Sequence, residues 1–144
     1  MRTAFGIIAG IIVALAVLTA VDVLANQIYP VPPIDLWDRR AVADVFADRP
    51  TGALLLNVLS YFLGALAGSY AARRLSRQGW TVWVPAALLA LMALAIVLSY
   101  PIQPWAQFAC FAAPLLGGML ARHIGKADPE EEPDPSELTN DAVL

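Results

Sequence analysis

TGALLLNVLSYFLGALAGSYAARRLSR, residues 51–77, is the stretch on which the reading of the whole chain turns. Its apolar run, 53–72, has the roughly 20 residues a helix needs to cross a hydrocarbon core about 30 Å thick at about 1.5 Å per residue. It gives way to Arg73, Arg74 and Arg77, so it reads as a membrane-crossing helix that stops on the cytoplasmic side. Within it Asn57, Ser60 and Tyr61 fall in the first half, and Gly64 and Gly68 form a GxxxG pair in the second.

Three more runs of this kind fit around it. The chain is 59% hydrophobic and 15% charged, well outside the range of a soluble domain, so it belongs to the membrane class. The first span is expected at about 4–28, with Gly6 and Gly10 near one end and Asp22, Asn26 and Gln27 near the other. Val23-Leu24-Ala25 could pass for a cleavage site, but the run is longer than the roughly 7–15 residues of a secretory signal, which favours an uncleaved anchor. Tyr29-Pro30-Val31-Pro32-Pro33 ends it, because proline lacks the N–H and drives its predecessor out of the helical region. In the loop 29–50, the spacing of Leu36, Trp37, Ala41, Val42, Val45 and Phe46 predicts a short extracytoplasmic helix in the membrane interface, capped by Asp35. Asp38 falls near its apolar side.

Asp48-Arg49-Pro50-Thr51 supplies a capping residue and an early proline for the second span. The third, about 82–100, opens on Trp80 and Trp83 as an interfacial belt, with Pro85 in its first turn. Pro101-Ile102-Gln103-Pro104 leaves room only for a hairpin, so the fourth span, about 105–122, lies antiparallel to the third. That span carries Gln107, Cys110, Pro114, Gly117 and Gly118 and ends at Arg122, with Pro114 expected to bend it. The fold class is therefore an all-α integral membrane protein, an up-down bundle of four transmembrane helices in a membrane domain 1–126. The tail 127–144 is acidic and proline-rich and reads as disordered and cytoplasmic.

Lys and Arg near the span ends set orientation. Arg2, Arg73, Arg74, Arg77, Arg122 and Lys126 fall on one side and Arg39, Arg40 and Arg49 on the other, which places both termini in the cytoplasm. Seven of the twelve acids lie in the last seventeen residues, so the net charge of −3 says little about the membrane domain. The arginines flank spans and form no basic patch interleaved with aromatics, which argues against nucleic acid as a partner.

With this orientation Gly6, Gly10, Gly64, Gly68, Gly117 and Gly118 share the inner leaflet, where small residues let helices approach closely. Asp22, Asn26, Asn57, Ser60 and Gln107 share the outer leaflet, and a hydrogen bond between Asp22 and Asn57 is the contact the depths suggest. Asp22 is either glue between helices, an acid reaching outer water, or a proton or cation site. No catalytic residue, metal site or cofactor is expected. His123 is the sole histidine, Cys110 the sole cysteine, and no membrane-depth base is present to activate a serine.

The motifs Tyr29-Pro30-Val31-Pro32, Arg49-Pro50-Thr51-Gly52-Ala53-Leu54 and Leu63-Gly64-Ala65-Leu66-Ala67-Gly68 running into Ala71-Ala72-Arg73 resemble those of a group of small bacterial four-span membrane proteins with no assigned function. The resemblance covers roughly residues 1–126 and implies the topology and a bacterial plasma membrane; many members carry an acidic residue late in the first span, where this chain has Asp22. Small multidrug-resistance transporters share the size, but they depend on a glutamate midway along the first span, where residues 11–16 here are all apolar. Two functions are carried forward. In the first, the chain is an accessory or scaffold subunit packing through its GxxxG faces against a larger membrane complex or against itself. In the second, it is a small-solute or ion transporter or channel that works as an oligomer, with Asp22 in a polar outer vestibule.

Overall fold

The computed structural model describes residues 2–31, 33 and 37–124. The tail expected to be disordered, Lys126 and the expected cap Asp35 lie outside the described residues. All regular structure among the described residues is helical: α1 (Arg2–Ile28), α2 (Arg39–Ala47), α3 (Thr51–Ser76), a 3₁₀ turn (Gly79–Val82), α4 (Trp83–Ser99) and α5 (Pro104–Ile124). Four of these, α4 with its leading 3₁₀ turn, are long and apolar enough to cross a membrane.

Each helix end has a local cause. After α1, the Val31 amide donates to Asn26 Oδ1 at 3.2 Å, which turns the chain once Pro30 has broken the helical ladder. The cap of α2 is Asp38. Its carboxylate accepts from the amides of Arg40, at 2.9 Å, and Ala41, at 3.4 Å. An acid that looked misplaced on an apolar face is thus the residue that satisfies the first free N–H groups. Asp48, expected to open the second span, instead closes α2, its amide donating to the Asp44 carbonyl. Pro50, with extended backbone, is the N-cap residue of α3.

Arg73 and Arg74 do not end α3. Charge does not break the backbone ladder, and the helix continues to Ser76, stopping where Arg77 takes a left-handed conformation with φ of 56°. The turn that follows is held by a closed ring of hydrogen bonds. The Gln78 amide donates to Ser76 Oγ at 3.3 Å, Ser76 and Thr81 hydroxyls pair at 2.7 Å, and Thr81 Oγ1 donates to the Gln78 carbonyl at 2.7 Å. Ser69 Oγ also donates to the Val82 carbonyl at 2.7 Å, tying α3 to the start of α4. At the other hairpin, Gln107 Nε2 donates to the Ile102 carbonyl at 2.8 Å. The helix α5 then runs on through the fully buried Pro114.

α3 is central. α1 packs along one side of it in the opposite sense, Gly6 lying against Ser76, Gly10 against Ala72, and Ala14 against Gly68 and Gly64. The closeness is quantifiable: a Cβ on Gly68 would lie 2.5 Å from Ala14 Cβ and 2.6 Å from the Gly10 carbonyl oxygen. Ordinary carbon contacts are about 3.5–4.0 Å, so only glycine permits this approach. On the other side Gly117 of α5 meets the backbone of α3 at Phe62 and Leu66, while its neighbour Gly118 faces Ala86 of α4. Between these helices lies a core of small residues, Ala14, Ala65, Ala86, Ala93 and Ala113, filled out by Tyr61, Leu89 and Cys110. The helix α2 reaches the rest of the molecule through side chains. Phe46 stacks on Tyr100 with ring centroids 4.8 Å apart and packs over Leu54, Ile102 and Ala106.

Candidate functional site

A cavity of about 430 Å³ opens where the C-terminal part of α1, the N-terminal part of α3 and the end of α4 converge under Phe46 of α2. Asp22 and Asn26 of α1, Tyr29, Arg49, and Asn57 and Tyr61 of α3 line it. These polar groups face one another because α1 and α3 run in opposite senses, so residues late in one sit at the depth of residues early in the other.

The half-buried Asp22 does not bond to Asn57, and among the described residues no hydrogen bond joins them. Its neighbour is Ser60, one turn further along α3 and fully buried. Ser60 Oγ also lies 2.8 Å from the Asn57 carbonyl oxygen, to which it can donate. The expected contact failed because depth fixes which residues are level, whereas the azimuth around each helix fixes which of them touch. Asn57 instead lines the cavity.

Arg49 is the cationic wall. It is near enough to Asp22 to act on it electrostatically, and its guanidinium sits 5.3 Å from the Phe46 ring centroid. The Phe46–Tyr100 stack fixes the ring against which Arg49 rests. The phenolic end of Tyr29 lies over Gly52, where a Cβ would collide with it. The Tyr29-Pro30 and Arg49-Pro50-Thr51-Gly52 motifs, separated in sequence by residues 31–48, therefore build one corner. Tyr29, Arg49 and Ala53 also line a second cavity of about 450 Å³, which adds Asp44 and Asp48. Two cavities thus share a wall of one tyrosine and one arginine.

The remaining sequence-derived residues go elsewhere. Gln107 lies outside the polar cluster, committed to the α4–α5 hairpin. Gly6, Gly10, Gly64, Gly68, Gly117 and Gly118 are all buried between helices of this one chain. At the opposite end, Arg73 Nη1 donates to the Arg122 carbonyl at 2.7 Å, and Arg74 lies over Tyr70 with Nε donating to its hydroxyl at 3.2 Å. Arg77 caps α3. Among the described residues no group of three or more histidine, cysteine or acidic side chains could hold a metal ion. Sequence reasoning missed Arg49, Tyr29 and Tyr61 as cavity walls. The signal for the first two was present in the paired proline motifs that flank the α1–α3 connection.

Four membrane-length helices of this apolarity are consistent with a multi-pass membrane protein. No protein-family model, curated protein or solved structure matches the chain.

Proposed function

We propose that the protein is a four-span, up-down bundle of a bacterial inner membrane, with both termini cytoplasmic and α2 lying in the outer interface, and that its outward vestibule receives a small cation or cation-bearing solute for transport by an oligomer. The observation that carries this reading is the Asp22 cavity: Asp22, Asn57 and Arg49 line one space about 430 Å³ in volume. Asp44 and Asp48 line the adjoining cavity, so a cation passing the Tyr29–Arg49 wall would meet carboxylates on both sides of it. Opposite charge lining a cleft raises the local concentration of the ligand it attracts. Support for the interfacial placement of α2 comes from its two-sidedness, with Val42 buried and Arg39, Arg40 and Asp44 exposed, and from Trp37, 93% exposed just ahead of it. The excess of arginines at the Arg73–Arg122 end supports the orientation.

A second reading, the accessory subunit, has a different support. Its expected contact surfaces, the glycine faces, are filled by neighbours within the chain. One exposed apolar face is the outer side of α1, where Phe5, Ile8, Ile12 and Leu15 are exposed at helical spacing. Native mass measurement of the tagged protein extracted in mild detergent separates the two. A defined homo-oligomer fits the transporter; a stoichiometric larger partner retained through the α1 face displaces it in favour of the subunit.

A further inference from the structure

A third cavity, of about 390 Å³, lies at the end of the molecule remote from Asp22, lined by Arg73, Gly79, Trp80, Trp83 and Arg122. We propose that it binds a phosphate anion, either the phosphodiester of an anionic lipid headgroup or a soluble phosphate. Three helices and a turn converge to build it: Arg73 comes from α3, Arg122 from α5, Trp83 from α4, and Gly79 and Trp80 from the 3₁₀ turn. Among the described residues its lining holds two arginines and no acid, the reverse of the acid-bearing cavities at the other end.

The cationic wall is positioned in advance. Arg73 spends one N–H on the Arg122 carbonyl, and this bond fixes its guanidinium across the α3–α5 groove. Of its five N–H donors four remain, in the planar fork that suits phosphate oxygens. The aromatic wall is equally fixed. Trp80 Nε1 donates to Gln78 Oε1 at 2.9 Å, and the Ser76–Thr81–Gln78 ring holds the turn that carries Trp80. Indoles at the membrane–water boundary sit at headgroup depth, and basic pockets between helices there take anionic headgroups.

A tie between α3 and α5 alone would explain Arg73 but not the rest of the pocket, and Gly79 allows the two roles to be separated. A Cβ on Gly79 meets nothing within 4 Å, and its φ is not positive, so side chains fit there without strain. Gly79→Glu therefore puts a carboxylate in the cavity while leaving the Arg73–Arg122 bond intact, and Gly79→Ala is its neutral control. Lipid retention on the purified full-length protein is read by native mass spectrometry with added phosphatidylglycerol or phosphatidylcholine. Wild type and Gly79→Ala are expected to hold phosphatidylglycerol over phosphatidylcholine by about tenfold or more, a preference lost in Gly79→Glu and in Arg73→Gln/Arg122→Gln. Inorganic phosphate at millimolar concentration distinguishes the source. If it displaces phosphatidylglycerol, the site takes free phosphate; if phosphatidylglycerol stays bound, the headgroup is the ligand. A Gly79→Glu protein that unfolds at the wild-type temperature yet binds phosphatidylglycerol and inorganic phosphate as wild type does would overturn the proposal.

Discussion

Replacing Gly68 by alanine tests the α1–α3 contact, on which the Asp22 cavity depends. The new methyl group would stand 2.5 Å from Ala14 Cβ and 2.6 Å from the Gly10 carbonyl oxygen. Restoring ordinary carbon contacts of about 3.5 Å requires the helices to part by about 1 Å. A radial gap of that size forfeits roughly a quarter to a half of each dispersion contact along the seam, and overpacking of this kind typically costs about 1–3 kcal/mol. Alanine's better helix propensity, about 1 kcal/mol over glycine, works in the other direction in water. In a membrane the separated helices stay helical, because lipid offers their backbone no other partner, so most of that gain is absent. The net expectation is a loss of about 1–3 kcal/mol, read as unfolding at a lower dodecyl sulfate fraction in mixed micelles, followed by tryptophan fluorescence. Gly10→Ala, whose methyl would meet Ala72 Cβ at 2.6 Å, should behave alike, and the double variant should cost less than the sum because one separation relieves both. Gly68→Ala unfolding at the wild-type fraction would refute the close approach of α1 to α3.

Arg77 holds a left-handed backbone at φ of 56°, so Arg77→Gly should stabilise the protein by about 1 kcal/mol in the same titration; a destabilised variant would contradict the assigned cap. Thr81→Val removes a buried hydroxyl that serves both Ser76 and the Gln78 carbonyl, and should cost about 1–3 kcal/mol of stability by leaving those groups unpaired. Asn57→Cys should react with a membrane-impermeant thiol reagent in right-side-out vesicles, whereas the native Cys110, 3% exposed, should not. Reaction of Asn57→Cys only in inside-out vesicles would reverse the orientation.

The four long helices were legible because a hydrocarbon core imposes one length and one composition on anything that crosses it. Their ends were harder to read. The arginines after Ala72 mark where the solvent changes, but the backbone of α3 continues to Ser76 because a helix ends through dihedral angles and proline rather than through charge. Glycine pairs 6 and 10 and 64 and 68 could be matched by depth, since α1 and α3 run in opposite senses. Whether those glycines faced a neighbour in the same chain or a partner was not readable, because the choice depends on rotation about each helix axis. The same ambiguity sent Asp22 to Asn57 instead of Ser60 and placed Gln107 in a cluster it does not join. Arg49 and Tyr29 escaped notice as site residues because each looked like ordinary loop punctuation beside a proline. The ring of Ser76, Gln78 and Thr81 was hidden for a related reason: short polar side chains near a turn make local bonds that leave no periodic trace.

The role given to the vestibule rests on Asp22. The most direct measurement is charge movement in proteoliposomes on a solid-supported membrane, challenged in turn with sodium, guanidinium and methylammonium, for wild type and Asp22→Asn. The expected result is a transient current with at least one of these cations that Asp22→Asn abolishes, while native mass shows the same oligomer for both proteins. Currents of equal size in the two proteins, or none with any cation from a correctly assembled wild type, would contradict the transport reading.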